Sequence, residues 1–173
     1  TVLTTETITL DADPDGNCTG GNVVFNPATT TLAGPGGTNA GAIVIRTGVF
    51  DITLTTLLAD DLISVTTCGN ILNDGDDATF ISANRISLTS GGRIGGTNII
   101  SPADVLSADP AVAPPTTTRF LAAVDFALTG PAGTRQVTIT QTAAGNVQLR
   151  QVNGALRTSV FNLTNTVVGT VNQ

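Results

Sequence analysis

Residues 50–96, FDITLTTLLADDLISVTTCGNILNDGDDATFISANRISLTSGGRIGG, keep returning to one short phrase. ITLTT stands at 52–56, ISVTT at 63–67 and ISLTS at 86–90, with TFISA at 79–83 between the last two. Each phrase alternates an apolar or β-branched residue with a small polar one, the period of a strand with one buried face. Between them stand Asp, Asn and Gly, which turn the chain cheaply because they accept positive φ or bond their own backbone. The pattern predicts many short strands about ten residues apart.

Outward from this stretch the same grammar continues. TVLTTETITL at 1–10, VVFN at 23–26 and AIVIRTG at 42–48 read as strands, separated by the polar loop DADPDGNCTGGN at 11–22 and the Thr-rich NPATTTLAGPGGTNAG at 26–41. Past Gly96 the rhythm stops. Residues 98–119 hold four of the eight prolines and read as a connector or excursion, with one helical turn near 103–106. Strand phrases resume at VTITQT (137–142), VQLRQV (147–152), ALRTSVFNLTN (155–165) and TVVGTV (166–171), which favours a single all-β domain over residues 1–173. No sustained i, i+3, i+4 apolar pattern supports a helix.

Composition narrows the function. The chain has 173 residues, 13 acids against 7 bases and a net charge of −6, the opposite of a nucleic-acid footprint or an anionic-membrane binder. No apolar run reaches the roughly 18 residues of a membrane-spanning helix. His, Lys, Tyr, Trp and Met are absent, so the usual general bases and the aromatic platforms of sugar-binding sites are missing, and no enzyme is expected. GGRIGG at 91–96 lacks the helix and Lys of a phosphate loop and reads as a tight turn. The start at Thr1 suggests a mature form whose export signal has been removed.

Two architectures fit. A β-solenoid winds strands into coils of about 20 residues that stack like on like. An antiparallel β-sandwich or jelly roll with a strand-donating terminus pairs them by hairpins, for which Asp74-Gly75 and Asn153-Gly154 could serve. TITLDADPDGN at 7–17, GNVVF at 21–25, AIVIRTGVFDITLTT at 42–56 and ATFISANRISLTSGGRIGG at 78–96 resemble the repeats of filamentous-haemagglutinin-type exoproteins, which are bacterial surface adhesins. The resemblance covers residues 5–96 and, more loosely, 135–171. It implies a right-handed parallel β-helix and an extracellular, cell-surface setting, and it carries over no catalytic residue. The chain is far shorter than such exoproteins and has no secretion domain at its amino end, which implies a subunit or an excised fragment.

Few residues could carry chemistry. Asp11, Asp13 and Asp15, followed by Gly16, match the first half of a calcium loop, although Asn22 stands where the bidentate Glu belongs. Asp74, Asp76 and Asp77 form a second, weaker acidic turn. Structural Ca²⁺ is therefore a candidate, with solvated acidic turns the competing reading, and no cofactor is required. Asp60 with Asp61 reads as a polar corner. Cys18 and Cys68 are too few for a disulfide scaffold; a bridge between them competes with buried free thiols and bridges between subunits. Asn17-Cys18-Thr19 and Asn162-Leu163-Thr164 are glycan-acceptor triplets, such as also arise by chance. Thr53 with Thr55 and Thr138 with Thr140 have the Thr-x-Thr form of an ice-binding face, but Ser, Ile or Val interrupts the other phrases, so no continuous rank can be drawn.

The expected function is an extracellular structural subunit of a surface filament or sheath, joined head to tail with copies of itself by strand addition or end-to-end stacking. Both chain ends are β-prone and almost uncharged, and Val2, Leu3, Thr5, Ile8 and Leu10 are the candidate assembly strand. The alternative is a monomeric adhesin module that binds surface glycans; an ice-binding or a polysaccharide-degrading β-helix ranks below both.

Overall fold

The structure, a computed structural model, describes residues 2–3, 6–26, 31–33, 39–74, 79–95, 123–145, 147–152, 161–165 and 171–172. These residues form strands and no helix, and so no helix among them is long and apolar enough to cross a membrane. In chain order the strands are β1 (Val2–Leu3), β2 (Thr7–Asp11), β3 (Thr31–Ala33), β4 (Ala40–Thr47), β5 (Ile52–Thr53), β6 (Thr56–Thr67) and β7 (Ile71–Leu72). Then come β8 (Ile81–Ala83), β9 (Arg85–Ser90), β10 (Val124–Leu128), β11 (Gln136–Gln141), β12 (Val147–Gln151), β13 (Phe161–Asn165) and β14 (Val171–Asn172).

Every strand pair among the described residues is parallel, and the pairs fall into three columns. The first runs β1, β3, the start of β6, β8, β10 and the end of β12. The second runs β2, β4, the rest of β6, β9, β11 and β13. The third joins β5 to β7, and β7 through Ile94 to the start of β12, which pairs with β14. Successive passes of the chain visit the columns in the same order. A hairpin sandwich is not what this chain builds: β7 and β8 flank Asp74 without pairing to one another, and so do β12 and β13 around residues 153–160.

Alternation fixes the register, because a slip by one residue would turn each strand's apolar set outward. In the second column Ile8, Ile43, Ile63, Ile86 and Val137 stack in one line, and Leu10, Ile45, Val65, Leu88 and Ile139 in the next; register continues both lines to positions 161 and 163. The first column stacks Leu32, Leu57, Ile81 and Phe126, and the third stacks Ile52, Ile71, Ile94 and Val147. These side chains meet in one buried cluster, with Leu10 partly buried at its margin. Each such burial contributes about 1.5–3 kcal/mol before entropy, so repetition rather than size makes the core.

The inward residue ending β4, β6, β9 and β11 is polar and buried: Thr47, Thr67, Ser90 and Gln141. Each closes the corner of the pass before it. Thr47 Oγ1 donates to the Gly21 carbonyl at 3.1 Å, Thr67 Oγ1 lies 2.7 Å from the Phe50 carbonyl, Ser90 Oγ lies 2.9 Å from the Gly69 carbonyl, and Gln141 Nε2 donates to the Gly92 carbonyl at 2.8 Å. Carbonyls at the bends thus gain side-chain partners from the strand of the next pass.

Two strand expectations change. ITLTT at 52–56 is not a repeat of ISVTT and ISLTS: Ile52–Thr53 lies in the third column and Thr56 opens β6 in the first, so like phrases occupy unlike places. VVFN at 23–26 is not a strand, since it has no ladder partner, although Val23 and Phe25 still pack on the core while Val24 is exposed. The polar corner expected at Asp60 and Asp61 is present inside β6: both residues are exposed, the strand passes there from the first column to the second, and its register with β4 shifts between Ala59 and Leu62. The connector 98–119, with its helical turn, lies outside the described residues.

Candidate functional site

The acidic loop after β2 is built by its own carboxylates. Asp11 accepts from the Asp13 amide at 3.1 Å and from Arg46 Nη1 at 3.0 Å, the latter an ion pair across the β2–β4 ladder. Asp13 is buried, its oxygens each 3.1 Å from the amides of Cys18 and Gly20. Asp15 takes the exposed Asn17 side chain at 2.6 Å. The three carboxylates thus have separate partners rather than a common focus, and among the described residues no cluster of three His, Cys, Asp or Glu could hold a metal ion. In the second acidic turn Asp74 accepts from Thr79 Oγ1 at 2.6 Å, while Asp76 and Asp77 lie outside the described residues.

Cys18 and Cys68 form a disulfide with a Cα–Cα distance of 5.7 Å across a sequence separation of 50. Cys18 sits at φ 69°, a left-handed conformation unusual for a residue other than glycine, held by the bridge and by its amide bond to Asp13. The bridge ties the loop after β2 to the corner after β6, across the Gly48 corner whose amide and carbonyl bond Gly21 and Cys68.

Of the candidate assembly strand, Val2 and Leu3 pair with Leu32 and Ala33, and Ile8 and Leu10 pair with Ile43 and Ile45, with Ile8 buried in the chain's own core; Thr5 lies outside the described residues. A strand held this way offers its free edge, rather than itself, to another chain. Among the described residues β2 has one strand partner, β4, and β13 has one, β11. The Ala12 amide donates to the Arg46 carbonyl at 2.9 Å, and alternation along the strand then turns the amides of Thr7, Thr9 and Asp11 to the open side. These ladder groups stand ready for a further strand.

No family model, curated protein or solved structure matches this chain.

Sequence reading missed two arrangements. Asp125 and Arg150, 25 residues apart, face each other in register on β10 and β12, where Arg150 Nε donates to Asp125 Oδ1 at 2.6 Å and Nη2 to Oδ2. The pairing was hidden because nothing local in the sequence joins β10 to β12, 25 residues further on. The other is the outward side of the second column, where Ser64, Thr66, Ser87, Thr89, Thr138 and Thr140 fall into two straight rows. The misaligned phrase at 52–56 broke these rows on paper: Thr53 belongs to another column and Thr55 is buried.

Proposed function

We propose that the chain is a β-solenoid module of an extracellular structural protein that assembles end to end with copies of itself into a filament or sheath. One observation carries this reading: the first and last described strands of the second column, β2 and β13, run parallel in one continuous register, and among the described residues each pairs on one edge only. Setting β13 of one copy beside β2 of the next continues the ladder, with position 161 meeting Ile8 and position 163 meeting Leu10. Such a contact is heterologous, and repeating it generates an open fibre rather than a closed ring. The Cys18–Cys68 bridge supports an oxidising compartment outside the cytosol. The resemblance to surface-exoprotein repeats points the same way.

The test is electron microscopy and light scattering of the intact protein across a concentration series, beside the Thr9→Pro variant. Thr9 is exposed and its amide faces the open edge, so proline there removes an edge donor and spares the ladder to β4. The expected result is linear assemblies that lengthen with concentration and disappear in Thr9→Pro at unchanged Tm. Monomers at every concentration that bind glycans would instead establish the adhesin reading.

A further inference from the structure

We propose that the outward face of β6, β9 and β11 is a binding face for the ordered water of an ice surface. Two rows of hydroxyls cross it. Ser64, Ser87 and Thr138 form one row and Thr66, Thr89 and Thr140 the other, each in direct register, with Asn162 and Thr164 at the next register positions. No register shift interrupts the pairing of β6, β9 and β11 along the rows; the shift in this column lies between Ala59 and Leu62 of β6 against β4, ahead of Ser64. Neighbours within a row are thus about 4.8 Å apart, and the rows about 6.6 Å apart. These are close to the oxygen repeats of ice.

The chemistry of the rows is selective. Where hydroxyls point inward, at Thr47, Thr67 and Ser90, each has a protein partner. All six outward hydroxyls are half-exposed, and none takes a side-chain partner among the described residues. A hydroxyl both donates and accepts, so it can replace a water in a lattice, while the threonine methyls exclude disordered water beside it. No charge interrupts the rows over β6, β9 and β11; Arg46, on β4, is neutralised by Asp11, and Arg85, beside the rows, by Asp61. An ordinary solvated face mixes charges of both signs.

Other occupants fit less well. A small soluble ligand needs a concave pocket, and a row of parallel strands offers none. A polysaccharide surface calls for aromatic rings to stack on, and the chain has no Trp or Tyr. The inference stands apart from end-to-end assembly, since the rows lie on a face and not at an edge.

Ice-affinity partitioning and ice-recrystallisation inhibition test it, using the intact protein, Thr89→Tyr, Thr140→Tyr, Thr9→Pro, and Thr53→Tyr as a control on the third column. The native protein and the Thr9→Pro and Thr53→Tyr variants are expected to enter slowly grown ice and to arrest recrystallisation. Thr89→Tyr and Thr140→Tyr should lose at least tenfold in both assays at unchanged Tm. Exclusion of the native protein from ice to the level of an unrelated acidic protein overturns the proposal, as does full activity in the two row variants. Retention on cellulose or chitin that both row variants abolish, without ice binding, assigns the face to polysaccharide and likewise overturns it.

Discussion

Asp13 is the residue on which the loop after β2 depends. Its buried carboxylate receives the Cys18 and Gly20 amides, one on each oxygen. Asp13→Ala leaves two half-buried donors without the carboxylate, which costs up to about 1–3 kcal/mol each to the extent that water cannot replace it. Chemical denaturation should therefore show a loss of a few kcal/mol, whereas Asp15→Ala, which removes only exposed contacts to Asn17, should fall within about 0.5 kcal/mol of the native protein. A different residue sets a pH dependence. The hydrogen bond from Arg85 holds the Asp61 carboxyl below its ordinary range, outweighing a small opposing effect of burial. A depressed folded pKa contributes stability that is present above the unfolded carboxylate range and lost as pH falls through the folded value. Asp61→Asn should accordingly lower Tm slightly at neutral pH and converge with the native protein in strong acid; the pair is exposed, so the difference is small.

At the scale of the element, the corners are more exacting than the strands. A side chain at Gly91 would fall on the Cys68 carbonyl oxygen, in the stacked corners where one pass lies directly on the next. Gly91→Ala should cost about 1–3 kcal/mol through overpacking, while Gly133→Ala, in open space, should be close to neutral; paired urea titrations read the contrast. Alternation made the strands themselves legible, and ISVTT, ISLTS and VTITQ do occupy equivalent rungs. What alternation could not supply is the column to which a strand belongs, because every inward line is built from the same Ile, Leu and Val. ITLTT therefore passed for a rung, and the hydroxyl rows stayed hidden. The acidic loop was visible as DADPDG; what the sequence did not show is that its three carboxylates take separate partners, Arg46, the Cys18 and Gly20 amides, and Asn17.

Across the whole molecule, contacts run between neighbouring passes, so stability is close to a sum over passes and their interfaces, with the end passes weakest. The disulfide works against this by tying the loop after β2 to the corner after β6. By the chain-entropy account, closing a loop of this length is worth about 4 kcal/mol. Reduction, or Cys18→Ser with Cys68→Ser, should lower stability by up to that amount and shorten amide protection first in β2 and β4. The same topology leaves the edge of β2 open among the described residues, and the assembly reading stands on that edge. Amide hydrogen exchange at Thr9, followed from dilute to concentrated protein, tests it most directly. The account predicts fast exchange when dilute and strong protection when concentrated, with Ile8 and Leu10 protected throughout; a Thr9 amide that exchanges at the same rate at every concentration would contradict it.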